Sequence, residues 1–310
     1  MAGLGAWLYI DFRKDQAPCR KLLQHERIPT ALGAAHKSNM SCAELGAAIE
    51  RATNGAEPGQ HSLKQAQAMK GVLVAIDDVI EEEHAPLDRQ LTGPISTALT
   101  SYAKDLYKIL IPGDIEYSRR TLPWDKAWTD SEGAHMSFSH ESLVRIMMSL
   151  SSDPEAYATL RESIAQQAAQ DLANAPSKKL KSGLSGFPAI AGRALGIMDA
   201  VAIAAREDTE KEKRNEWEEK VFTRLSSNRA GRVPSFEDDP DGHIIAAWKK
   251  TLPSAPPDDL LEVLETQSPE LVRVWTTALG TSNTEQSSLI HEARGTAWSA
   301  QNYTLRHRRN

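Results

Sequence analysis

Residues 62–83, SLKQAQAMKGVLVAIDDVIEEE, decide the fold. Met69, Val72, Leu73, Ile76, Val79 and Ile80 recur at steps of three and four. That is the period of a helix with one face turned from water. Ser62 stands three residues before Gln65, a capping box in which two side chains satisfy orphan N–H groups of the first turn. Asp77, Asp78 and Glu81–Glu83 read as the solvated side and end of this helix.

The same period spreads outward. Ile95, Leu99, Tyr102, Leu106 and Ile109 form a second stripe, and Tyr157, Leu160, Ile164 and Leu172 a third. Ser41 and Glu44 repeat the capping box. Gly93-Pro94, Asp153-Pro154 and Ser268-Pro269 read as starts, because proline at a first helical position loses no needed N–H. The spacing predicts helices over 17–26, 41–54, 62–83, 94–110, 139–151, 154–174, 189–227, 242–251, 258–266, 269–279 and 284–300. No long period-two run is present, and segment 111–137 leaves room for a short extended pair. The expected architecture is all-α, a multi-helix bundle with one long, partly solvated helix at 189–227. Its domains are expected at 1–174 and 189–310, joined by a linker at 175–188 that carries Pro176, Gly183, Gly186, Pro188 and three lysines.

Composition narrows the function classes. Aromatic residues make up 6% of the chain, too few for a typical all-β fold. The net charge of −6 argues against nucleic acid as a partner, since phosphate binding needs an excess of Lys and Arg. Cys19 and Cys42 lack metal or redox spacing and read as reduced thiols of a cytoplasmic protein. The apolar start MAGLGAWLYI has no preceding Lys or Arg and no small-residue cleavage site, so it is not read as a signal peptide. Segment 187–205, FPAIAGRALGIMDAVAIAA, holds Arg193 and Asp199. It reads as a core helix and not as a membrane span.

Chemical motifs are near misses. Gly183-Leu184-Ser185-Gly186-Phe187 lacks the closing glycine of a nucleophile elbow. The acidic turn Glu237–Gly242 has Trp248 where a calcium loop needs its closing Glu, so it reads as a helix cap. His291-Glu292 has no second His one turn later, and His135 with His140 have no third ligand in sequence. No dinucleotide or triphosphate fingerprint occurs. No catalytic, cofactor-binding or metal-ligating residue is therefore assigned, and no cofactor is expected. Trp124 and Trp128, four apart in LPWDKAWTD, together with Glu210, Arg214 and Trp217, form the candidate partner surface, because aromatic anchors dominate interface energetics. Segment 111–137 is long for an unstructured connection, a common mark of function.

LGAAIERATNGAEP at 45–58, ISTALTSYAKDL at 95–106, FSHESLVRIMMSLSSDPEAYATL at 138–160 and ALGIMDAVAIAAREDTEKEKRNEWEEKVF at 194–222 follow in order. With the helix from Gln65 to Val79, they resemble an alanine-rich helical family of high-GC Gram-positive bacteria associated with WXG-like (type VII) secretion and polymorphic toxin proteins. The resemblance implies a mostly helical body with no catalytic residues to carry over. The resulting expectation is a non-enzymatic scaffold or interaction protein of a bacterial secretion, toxin or phage-like injection system. It would bind a protein partner or a second copy of itself, with export by a signal-peptide-independent route as the alternative to a cytoplasmic location. The competing expectation is a hydrolase or toxin enzyme whose carboxylates and histidines, His135 and His140 among them, gather from distant helices without a linear motif.

Overall fold

A computed structural model describes residues 17–57, 59–111, 113–175, 186–207, 209–227, 229 and 231–308. Among the described residues lie fourteen α-helices and one two-stranded antiparallel sheet, so the chain is all-α with a small extended pair. The apolar start 1–10, Ser185 and most of the expected linker lie outside the described residues. Two compact units result: Met1–Asp105 with Gly113–Ala156, and Leu106–Pro112 with Tyr157–Asn310.

The first unit holds α1 (Ala17–Gln24), α2 (Arg27–Leu32), α3 (Cys42–Thr53), α4 (Leu63–Glu83), α5 (Arg89–Thr100) and the start of α6 (Ala103–Leu110). It continues with α7 (Ile115–Arg119), β1 (Trp128–Asp130), β2 (Gly133–His135) and α8 (His140–Leu150). Helix α4 carries the apolar stripe of residues 62–83, and α1, α2, α3, α8 and β2 pack on it. Met69, Val72, Leu73, Ile76 and Val79 are buried, and both expected capping boxes form. The acids of α4 are less idle than expected. Asp77 and Glu81 bind Arg145 of α8, and Glu82 and Glu83 bind Lys21 of α1.

Three local expectations change. Helix α5 starts at Arg89 under an Asp88 cap and runs through Pro94. The proline withholds an N–H from the carbonyl of Gln90, and its ring lies against Gly46 of α3, where a Cβ would come within 3.0 Å of it. The stripe expected over 94–110 breaks at Ser101-Tyr102 into α5 and α6. Cys19 and Cys42 are not free thiols. They form a disulfide between α1 and α3, with Cα atoms 5.9 Å apart. Sequence spacing carries no signal for a pair that only tertiary packing brings together.

The second unit contains the rest of α6, then α9 (Pro154–Ala173), α10 (Gly186–Arg206), α11 (Lys211–Leu225), α12 (Pro240–Thr251), α13 (Leu260–Ala278) and α14 (Asn283–His307). The long helix expected over 189–227 is therefore two. Between Arg206 and Glu216 no apolar face exists to hold a continuous rod, and Glu210 takes an extended conformation as the N-cap of α11. After the break Trp217 lies on Tyr157, ring centroids 5.0 Å apart. The expected helices 258–266 and 269–279 fuse into α13, which carries Pro269 inside and starts at an Asp259 cap. The acidic turn is a helix cap, but the capping residue is Asp239, and Asp241, expected to start the helix, lies in its first turn.

Helix α10 packs on α13 and α14. A Cβ on Gly192 or Gly196 would collide with the carbonyl oxygens of Ala293 and Ala297 on α14. Small residues at a four-residue interval thus let the two backbones touch. By length and composition alone α10 could cross a membrane, at mean hydropathy 1.5, but 67% of that window is buried in the unit. Its Asp199 is sealed inside on Arg161, 2.7 Å away. The same guanidinium donates to Tyr157 Oη, Gln267 Oε1 and the Leu264 carbonyl. This pattern is that of a core helix.

Gly192→Ala and Gly196→Ala should each destabilise the protein by about 1–3 kcal/mol through overpacking. Gly295→Ala, in α14 with nothing within 4 Å of its Cβ, should stabilise it by about 0.5–1 kcal/mol. Urea unfolding of the three variants checks the contrast. Reduction of Cys19–Cys42, which closes a separation of 23 residues, should cost about 3 kcal/mol, read as the difference between urea curves with and without dithiothreitol.

Candidate functional site

Asp105 falls on the apolar face of α6, three residues after Tyr102 and four before Ile109. An acid at such a position must find donors or bear a large desolvation cost. It finds three. Its Oδ1 accepts from Tyr117 Oη at 2.6 Å and lies 2.8 Å from His135 Nδ1, and its Oδ2 accepts from the Met136 N–H at 2.9 Å. The other imidazole nitrogen, Nε2, lies 3.0 Å from Asp130 Oδ1. His135, Asp105 and Tyr117 are buried, whereas Asp130 is exposed.

These partners bracket the connection between α6 and α8. Further bonds hold its middle. Lys70 of α4 donates to the Arg120 carbonyl at 2.5 Å, Gln67 accepts from the Ala127 N–H, and Ser137 Oγ donates to the Tyr117 carbonyl. The extended pair expected in 111–137 is β1 with β2, in the register Trp128↔His135 and Asp130↔Gly133. Gly133 supplies φ +133 at the turn, a conformation side chains disfavour.

Electrostatics follow from the geometry. The hydrogen bond to Asp105 raises the His135 pKa, opposed by burial and helped by Asp130. The Glu132 backbone N–H holds Asp130 below its usual value. Burial, then the Asp105 charge, raises the Tyr117 phenol far above its normal range. Lys70 moves the other way, from 10.5 down to about 8, because burial penalises its ammonium.

His135 is held between two carboxylates, Asp105 at Nδ1 and Asp130 at Nε2. A general base needs a lone pair facing substrate, whereas here both ring nitrogens lie within hydrogen-bond distance of carboxylates. None of the His135 hydrogen bonds involves His140, which instead opens α8. An open groove of about 370 Å³ lies elsewhere, in the second unit, lined by Glu218, Glu219, Asp258, Pro256 and Pro257.

The tryptophans of the candidate partner surface separate. Trp124 is 72% exposed, with Ile115 at 63% and Leu122 at 46% on the same segment. Trp128 is half-buried, edge-on to Tyr117, tilted over His135 and capped by the Arg120 guanidinium at 5.1 Å. Trp217 is buried in the second unit, while Glu210 is exposed and Arg214 half-buried at the start of α11. Sequence reasoning missed Asp105, Tyr117, Asp130 and Lys70. For Asp105 and Lys70 the signal was available, a charged residue lying among the apolar positions of a stripe.

Comparison with family models, with curated proteins and with solved structures finds no match.

Lys70 has a folded-state pKa below its unfolded one, so between pH 8 and pH 10.5 the unfolded chain binds more protons. Stability from this group is therefore least below pH 8 and rises with pH across that window. Lys70→Met should remove this rise. Urea unfolding of both proteins at pH 8 and pH 10 reads the difference, and equal slopes would contradict the burial argument.

Proposed function

We propose that this is a non-enzymatic helical interaction protein that presents the segment from Ile115 to Trp124 to a protein partner. The observation that carries this reading is Trp124, an exposed aromatic on a connection whose backbone is fastened from beneath by buried polar bonds. Rigid presentation lowers the ordering cost of association, and aromatic anchors of this kind supply most of the energy at protein interfaces. The hydrolase reading gains little support, because His135 gives both nitrogens to carboxylates. The resemblance to secretion- and toxin-associated helical proteins indicates where the partner is to be sought. The Cys19–Cys42 disulfide favours an oxidising compartment, and so the exported reading over the cytoplasmic one.

Trp124→Ala should weaken binding to the partner at least tenfold, about 1.4 kcal/mol, with the thermal midpoint unchanged. Trp298→Ala, an equally exposed tryptophan of the second unit, should leave affinity unaltered. Binding titrations with the two variants check this, and equal affinities would contradict the assignment of the segment.

A further inference from the structure

The hairpin beneath the interaction segment carries a second set of groups. Asp130 closes β1 opposite Gly133, and His135 closes β2 opposite Trp128. Side chains two apart on a strand share a face, so Asp130 and His135 meet diagonally across one face. Glu132 reaches in from the turn. One ligating atom from each of Asp130, Glu132 and His135 lies within 4.8 Å of the other two. The closest pair, Asp130 Oδ1 and His135 Nε2, are 3.0 Å apart. Two ligands of one ion, at bonds of about 2.1 Å, sit about 3.0–3.4 Å apart.

A second observation lies outside this trio. Buried Asp105 holds His135 by Nδ1, which fixes the ring with Nε2 at 3.0 Å from exposed Asp130. A carboxylate behind an imidazole is the usual outer support of a metal-bound histidine. Asp105 is itself anchored by Tyr117 and the Met136 N–H, so the ring cannot easily turn away. Glu132 already binds one cation, the Lys104 ammonium at 2.6 Å.

We propose that Asp130, Glu132 and His135 bind one divalent first-row transition ion, zinc in type, with Asp105 as the positioning residue for the imidazole. One nitrogen and two carboxylate donors suit zinc, manganese or cobalt; magnesium and calcium take oxygen donors alone. The ion lies between Nε2 and Asp130 Oδ1, which are 3.0 Å apart, and any proton on Nε2 passes to solvent. Only Glu132 must swing, exchanging Lys104 for the ion, and it is an exposed side chain. Binding would pin the hairpin that closes the interaction segment, a property independent of what Trp124 contacts.

The full chain, stripped with EDTA and titrated with Zn²⁺ in a calorimeter, should take up one equivalent. Co²⁺ should give a visible absorption band, displaced by Zn²⁺, and should quench Trp128, whose ring lies 5.5 Å from that of His135. Glu132→Gln is the deciding variant, because its side chain is exposed. It should lower Zn²⁺ affinity at least tenfold with an unchanged circular dichroism spectrum. Asp130→Asn keeps an oxygen for the Glu132 N–H and should do the same. Asp105→Asn should cost about 10–100-fold, while Trp124→Ala should leave affinity unaltered. Absence of saturable one-equivalent uptake, or wild-type affinity in both Glu132→Gln and Asp130→Asn, would overturn the proposal.

Discussion

The carboxylate of Asp105 is the constraint around which the first unit's connecting segment is arranged. A buried carboxylate without partners costs several kcal/mol. Asp105 meets that cost with a phenol from α7, an imidazole from β2 and the backbone N–H that follows β2. The three donors are spread over twenty residues of chain. Moving any part of that stretch away strands the charge, so the connection between α6 and α8 has one conformation to occupy. Lys70 repeats the logic from α4, where its buried ammonium requires the Arg120 carbonyl. The surface carrying Ile115, Leu122 and Trp124 owes its shape to these bonds beneath it.

Arg161 plays the corresponding part in the second unit. Its guanidinium is fully buried and joins α9 to Asp199 of α10 and to Gln267 and the Leu264 carbonyl of α13. Elsewhere on α10 the contact with α14 is made by small residues, Gly192 and Gly196 against Ala293 and Ala297. Smooth surfaces of this kind approach closely but distinguish poorly between one helical register and the next. A buried polar joint does distinguish them, because a shift by one turn leaves donors and acceptors unsatisfied at about 1–3 kcal/mol each. Apolar burial brings the rods together, and Arg161 sets where along their length they stop.

What the sequence disclosed and what it hid divide along the same line. Local determinants were legible: the stripe of α4, the capping boxes at Ser41 and Ser62, the Asp153-Pro154 start and the extended pair in 111–137. Prolines misled where position outweighed propensity. Pro94 and Pro269 sit inside helices because Asp88 and Asp259 cap earlier starts, and because the ring of Pro94 fits against a glycine. The break after Arg206 was foreshadowed by its lack of an apolar face, but charge pairing alone suggested continuity. Partners remote in sequence were invisible. Cys19 meets Cys42, and Asp105 meets His135 thirty residues on, only in the folded unit. The candidate site was therefore legible as a segment and in Trp124, while its fastening was not.

Fastening also bears on why an exposed tryptophan is significant here. A flexible loop would have to be ordered on binding, at about 1–2 kcal/mol for each backbone residue fixed. With the backbone from Asp114 to Phe138 already tied to α4 and α6, that ordering has occurred during folding. In the proposed interaction role, folding energy from a few buried hydrogen bonds would be converted into readiness for contact. The same fastening makes His135 a strut of the hairpin, with Asp105 holding Nδ1 and Nε2 lying beside exposed Asp130.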